Sequence, residues 1–361
     1  SMADLDSRPK SMTNLPAIQI DSVRKVFDDG NHNGFTDLCR FNGRMYLCFR
    51  SSPGGHMLSS SSRAVVLSSD DGVEWEQVHT FSLPDRDVRD PHFLPFKDQL
   101  FVYVGSWYCG DLAPGERPEM NEQLGYGAVS ADGQTWSEPI VLEGTYGHFI
   151  WRAAAHGDTA YMCARRKRGF VVLEPDDRSF HESAMLASDD GLVWRKHALF
   201  QTTHGNETAF VFEPDGSVVA VARCRMESSQ LCRSTPPYSE WIRTDLDGFI
   251  GGPLLARWGD HYLVGGRKPF QPRSGRYPPN FYTETGVEPP DDPRTVLYWL
   301  ENDHLVDAAE LPSGGDNSYP GFIELSPTKG LLSYYSSHEG SRSGAAPCSI
   351  YVAELSLKES A

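Results

Sequence analysis

Three short segments repeat one pattern, and that repeat constrains the fold more than any other feature of the chain. They are Ser69-Asp70-Asp71-Gly72-Val73-Glu74-Trp75, Ser130-Ala131-Asp132-Gly133-Gln134-Thr135-Trp136 and Ser188-Asp189-Asp190-Gly191-Leu192-Val193-Trp194, all reading S-x-D-G-x-x-W. Asp71, Asp132 and Asp190 lie 61 and 58 residues apart, and a nearly fixed period of that size belongs to stacked or radially arranged units. Each copy follows a strand-like run and carries an Asp-Gly pair, which supplies the positive backbone dihedral of a hairpin turn. Repetition marks these aspartates as scaffold, because a reaction needs its catalytic group once.

A second series of hairpins interleaves with the first. Their turns fall at Asn42-Gly43, Lys97-Asp98, Gly157-Asp158, Asp215-Gly216, Gly259-Asp260 and Thr328-Lys329, flanked by short strand-like runs that begin at residues 36, 90, 149, 207, 252 and 319. Helical periodicity is nearly absent, and the strand runs are punctuated by Gly, Pro, Asp and Asn. Six units of four strands predict an all-β fold, a six-bladed β-propeller. The last unit is one strand short, and the N-terminal run Ile18–Val26 has no hairpin of its own, so it is expected to close the ring and hide the open sheet edges. Residues 1–17 read as a tail containing an expression scar, and 18–361 as one propeller. Two long connections, Trp107–Tyr126 and the Pro-rich Phe270–Pro293, have the length of functional loops.

Composition narrows the partners. Lys+Arg 33 against Asp+Glu 49 gives a formal net charge of −16, which argues against nucleic acid or an anionic membrane as the main partner. No apolar run reaches the roughly 20 residues of a membrane-spanning helix. The seven cysteines are scattered without a C-x-x-C pair, so neither a zinc site nor a disulfide framework is indicated; Cys224 and Cys232 flank one predicted turn and are the one pair placed to face each other. With no metal-ligand spacing and no Gly-rich phosphate loop, no cofactor is implied. The compartment and oligomeric state are left open.

In a propeller the innermost strands surround one axial funnel. Reading their ends across the six units gives Asp37, Arg50 and His56; Arg89 and Asp90; Trp151, Arg152 and Arg165; Asn206, Glu207, Arg223 and Arg225; Arg267 and Lys268; then Asp316, Tyr319, Tyr335, His338 and Glu339. Arginine clusters with a few carboxylates suit bidentate recognition of an acidic ligand.

These residues carry a family resemblance. The S-x-D-G-x-x-W turns resemble the Asp-box of sialidases (neuraminidases), one residue shorter than the usual S-x-D-x-G-x-T-W. Gly205-Asn206-Glu207-Thr208 leading to Arg223 resembles the segment bearing the glutamate partner of the nucleophile and a substrate-binding arginine. Ile250-Gly251-Gly252-Pro253 running to Gly265-Gly266-Arg267 is similar to the segment of another triad arginine. Leu311–Gly321 followed by Ser333–Glu339 is similar to the tyrosine-nucleophile segment, above all in bacterial Asp-box proteins labelled exo-α-sialidase. The resemblance spans about residues 20–357.

It implies an exo-glycosidase that removes a terminal sialic acid or related 2-keto acidic sugar from a glycan. Tyr319 would be the nucleophile and Glu207 its base, because a neutral phenol escapes the repulsion that the sugar's own carboxylate imposes on a carboxylate nucleophile. Arg223 and Arg267, with Arg50 or Arg152, would clamp the substrate, and Trp151 and His338 would line its site. Two departures stand out. Asn33-Gly34-Phe35-Thr36 lacks the arginine of the F-R-I-P segment, and the loop Ser51–Ser62 has no acidic residue, only His56. The proton-transfer role therefore falls to His56, Asp37 or Asp90. Two other readings use the same residues: an inverting carboxylate pair drawn from Asp37, Asp90 and Glu207, and a non-catalytic glycan-binding propeller with Trp107, Tyr108, Trp151 and Tyr282 as its platform.

Overall fold

The computed structural model describes residues 14–113, 116–172, 177–224, 227–268, 293–340 and 347–359. Strand β1 (Ala17–Phe27) is followed by the first blade, β2 (His32–Phe41), β3 (Arg44–Ser52), β4 (Arg63–Ser69) and β5 (Glu76–Phe81). The second blade is β6 (Arg86–Phe96), β7 (Gln99–Tyr108), β8 (Tyr126–Ser130) and β9 (Ile140–Val141), and the third β10 (Phe149–His156), β11 (Thr159–Lys167), β12 (His181–Ser188) and β13 (Arg195–Gln201). The fourth is β14 (Thr208–Phe212), β15 (Val218–Cys224), β16 (Glu227–Ser234) and β17 (Trp241–Asp245), and the fifth β18 (Gly251–Trp258), β19 (His261–Lys268), β20 (Arg294–Glu301) and β21 (His304–Glu310). The sixth joins β22 (Asn317–Ser326), β23 (Lys329–Ser336) and β24 (Ser349–Lys358) to β1.

Every blade is a four-stranded antiparallel sheet, and the expected closure is present: β1 pairs along β24 from Ala17 opposite Lys358 to Phe27 opposite Ile350. Middle strands are covered on both faces by neighbouring blades, so runs such as Ala64–Leu67 and Val218–Ala222 are apolar and buried nearly throughout. All seven cysteines are free, and Cys232 stands opposite Ala220, which removes the Cys224–Cys232 pairing.

The repeated turns explain how blades key together. In each, the serine hydroxyl accepts from the glycine N–H at 2.7–2.9 Å, and the aspartate accepts from the next two amides at 2.8–3.0 Å. The glycines have φ of 78–81° and no room for a Cβ, which would meet a side chain of the preceding blade: Leu331 at Gly72, Tyr46 at Gly133 and Phe101 at Gly191. Blade four uses different chemistry in the same place. There Tyr238, at φ 68°, packs on Tyr161 of blade three and donates to the Gly216 carbonyl, while Trp241 Nε1 donates to the Tyr238 carbonyl at 2.9 Å.

A second regularity places the axial side chains. In five innermost hairpins the register slips across two residues: Phe35-Thr36, Asp90-Pro91, Trp151-Arg152, Gly252-Pro253 and Tyr319-Pro320. Such bulges re-aim side chains, and Phe35, Asp90, Gly252 and Tyr319 adopt φ between 48 and 63° there. Blade four pairs without a slip, and Glu207, just ahead of β14, fills its sector.

Candidate functional site

Three of the bulges, at Phe35, Asp90 and Tyr319, reach a cavity of about 510 Å³ whose lining also includes His56, Arg89, Arg165 and Glu207. Tyr319 Oη donates to Glu207 Oε1 at 2.5 Å, and Arg223 Nη1 lies 3.2 Å from Glu207 Oε2 and 3.4 Å from the phenol oxygen. Phe35 packs edge-on against Tyr319 at 5.0 Å, and Trp151 does so at 6.1 Å. Gly252 is the bare position of the ring because the Tyr319 ring lies across it, 2.6 Å from where a Cβ would stand.

Charge is distributed unevenly within this group. Burial pushes the Glu207 carboxyl up, but Arg223, the Tyr319 hydroxyl, Arg165 and Arg267 outweigh it and hold the group below its ordinary range. Burial and the Glu207 charge drive the Tyr319 phenol well above its own. The shared proton therefore rests on tyrosine. Burial, with a further push from Glu207, raises Asp90 to about 7 against the pull of Arg89, while Trp151 Nε1 donates to its Oδ2 at 2.9 Å.

The other expected residues are placed differently. Asp37 sits away from the cavity lining, accepting from the amides of Leu38 and Phe93 and paired with Arg152 at 3.3 Å. Arg152 also donates to the carbonyls of Pro253 and Pro320, so it ties blades three, five and six together below the site. Arg50 is fully buried; it pairs with Asp87 at 2.7 Å and donates to the carbonyls of Val88, Gly55 and Met57, a strut for the His56 loop where a substrate clamp was expected. Asp87 also binds Arg89, whose other end grips the His56 carbonyl. Trp151 is 1% exposed, so it supports Asp90 and offers no stacking face. Arg267 is buried, donating to the Asn317 carbonyl at 3.2 Å and 3.7 Å from Asp316. His338 lies beside Ser336 and Tyr351, outside the cavity lining. Among the described members of the aromatic platform, Trp107 alone lines the cavity; Tyr282 and Arg225 fall outside the described residues.

His56 belongs to a group the sequence does not show as a unit. Asp316 accepts from His32 Nε2 at 2.7 Å and His56 Nδ1 at 2.6 Å on one oxygen, and from Tyr335 at 2.8 Å on the other. Burial lowers His56 to about 4 despite Asp316, leaving a neutral ring with its proton turned to the carboxylate. The three donor atoms lie within 4.8 Å of one another and could ligate a cation, but the nearby Arg267 guanidinium opposes a second positive charge there.

Register singles out one of the funnel residues. Arg50, Arg165 and Arg267 each stand opposite the residue one or two places before the slip, and the Arg223 N–H bonds the Glu207 carbonyl in the same tier. The third-blade member is thus Arg165, where Arg152 was expected. Arg152 itself sits in the two-residue bulge, which leaves no mark in the sequence.

No protein-family model and no curated protein sequence matches the chain. Among solved structures it is similar to a Dyadobacter fermentans protein of unknown function, at 18% identity and TM-score 0.69 over 95% of this chain and 100% of that one. It is also similar to Trypanosoma rangeli sialidase in complex with sialic acid, at 12% identity and TM-score 0.63 over 94% of this chain but only 57% of that one. The phage phi92 endosialidase matches at 10% identity and TM-score 0.63, over 94% and 70%. Identities this low speak for the fold alone. The chain has the sialidase-like six-bladed propeller fold.

Proposed function

We propose that this protein is a retaining exo-glycosidase that releases a terminal sialic acid or related 2-keto acidic sugar from a glycan. The observation that carries the reading is the 2.5 Å hydrogen bond from Tyr319 to Glu207 inside a cavity that also holds a protonatable Asp90. Asp90 is the general acid of this scheme. His56 is neutral with its proton committed to Asp316, and Asp37 lies outside the lining.

In the first step Asp90 gives its proton to the glycosidic oxygen while Tyr319 Oη bonds the anomeric carbon and passes its own proton to Glu207. The aglycone leaves as an alcohol. Water then attacks the anomeric carbon, Asp90 takes the water proton, and Glu207 returns its proton to the departing phenolate. Arg223 steadies the charge that builds on both Glu207 and the phenol oxygen.

An aryl sialoside assay tests the scheme, with related 2-keto acid glycosides beside it. Wild-type protein is expected to release the sugar with its anomeric configuration retained, read by NMR on the first product. Tyr319→Phe should show no measurable turnover. Inversion, or a Tyr319→Phe variant that keeps most of its rate, would move the reaction to a carboxylate pair.

A further inference from the structure

The four arginines of the inner tier are alike in register but not in company. Arg50 faces Asp87 at 2.7 Å, Arg223 faces Glu207 at 3.2 Å and Arg267 faces Asp316 at 3.7 Å. Arg165 faces an amide: its Nη1 donates to Asn206 Oδ1 at 3.1 Å, and its guanidinium lies over Phe149 at 5.4 Å. No carboxylate among the described residues forms an ion pair with it, whereas each of the other three has one. Arg165 lines the cavity with Lys167, Arg178 and His181 on the same wall, where Glu119 offsets Lys167 at 2.9 Å.

Glu207 and Asp90 act on Arg165 only from beyond ion-pair distance, so a ligand carboxylate in direct contact would add the charge-assisted pairing that the other three arginines already have. We propose that Arg165 is the anchor of a carboxylate subsite on the third-blade wall, and that the substrate's acidic group completes the tier by standing where the other three arginines have an Asp or Glu. The inference rests on the reading of the cavity as the binding site of an acidic sugar, and it puts the recognition of that acid at Arg165 rather than at the buried Arg50 and Arg267 or at Arg152, which is held by Asp37 and two carbonyls.

Calorimetric titration of the intact protein with free sialic acid and glucuronic acid tests the subsite, with the methyl ester of each as the uncharged control. Wild type should prefer at least one acid over its ester by about 10- to 100-fold, the range of a charged hydrogen-bond pair. Arg165→Met should remove that preference, and Arg165→Lys should keep part of it. Asn206→Asp keeps the acceptor that Arg165 and the Glu207 amide use, but supplies an internal carboxylate, so it too should remove the preference while preserving the fold. Circular dichroism checks folding of each variant. Equal binding of acid and ester by wild type, no binding of either acid, or an acid preference unchanged in folded Arg165→Met would overturn the subsite. Binding is read apart from turnover, so an Arg165-dependent preference in a protein that hydrolyses no aryl glycoside would sink the proposed reaction and leave the subsite standing.

Discussion

At the scale of single residues, one carboxyl is kept ready to lose a proton and another to receive one. Asp90 is raised to about 7 because burial and the neighbouring Glu207 both disfavour its charge, while Glu207 is held down by its arginines. An acid catalyst works only while protonated, so kcat/KM should fall as pH rises through about 7 and stay level below it until Glu207 begins to protonate. Asp90→Asn should abolish that upper limb and slow glycosides with poor leaving groups by about 10²- to 10⁴-fold, the usual worth of a placed acid. Activated aryl glycosides should lose much less, and a pH–rate profile on both substrate types checks it. An upper limb that survives in Asp90→Asn would assign the acid elsewhere.

At the scale of elements, the S-x-D-G-x-x-W turn is a key cut for the blade before it. Gly133→Ala would put a Cβ 1.9 Å from the Tyr46 hydroxyl at φ 78°, whereas Gly43 has a similar φ of 76° with nothing within 4 Å. Gly43→Ala should therefore cost only the backbone term of about 1–2 kcal/mol. Gly133→Ala should cost that plus overpacking of about 1–3 kcal/mol. Denaturant melts of the two variants side by side separate the terms, and equal losses would mean the turn does not key the blades. This docking was legible only in part. The spacing of three turns marked a radial repeat, and the six polar turns of the inner hairpins counted its blades, because local chemistry fixes both. Tyr319, Glu207 and Arg223 were legible as segments. Arg50, Arg152 and Trp151 were not, since whether an arginine reaches a ligand or the Val88 or Pro253 carbonyl depends on a neighbouring blade. The His32–Asp316 contact joins residues 284 positions apart, and Tyr238 does a glycine's work without resembling one.

At the scale of the whole molecule, the ring is held shut by β1, which hydrogen-bonds along β24 and is pinned by Ser22 to Glu354 at 2.8 Å and by Trp299 Nε1 to the Pro16 carbonyl at 2.9 Å. Removing residues 1–27 should expose the β24 edge, lower the melting temperature and drive self-association. Light scattering coupled to gel filtration reads the outcome, and a truncated chain that stays monomeric and melts with the full chain would mean that β1 is dispensable. The same closure sets a timetable. During synthesis β1 emerges ahead of the other strands described and must wait for β24, whose sheet also contains β22 and hence Tyr319. Contacts between such distant stretches form late and slowly. The blade that presents the phenol to Glu207 is therefore the last one completed, so a nascent chain can hold every group of the candidate site and still lack its closed geometry until β1 and β24 have met.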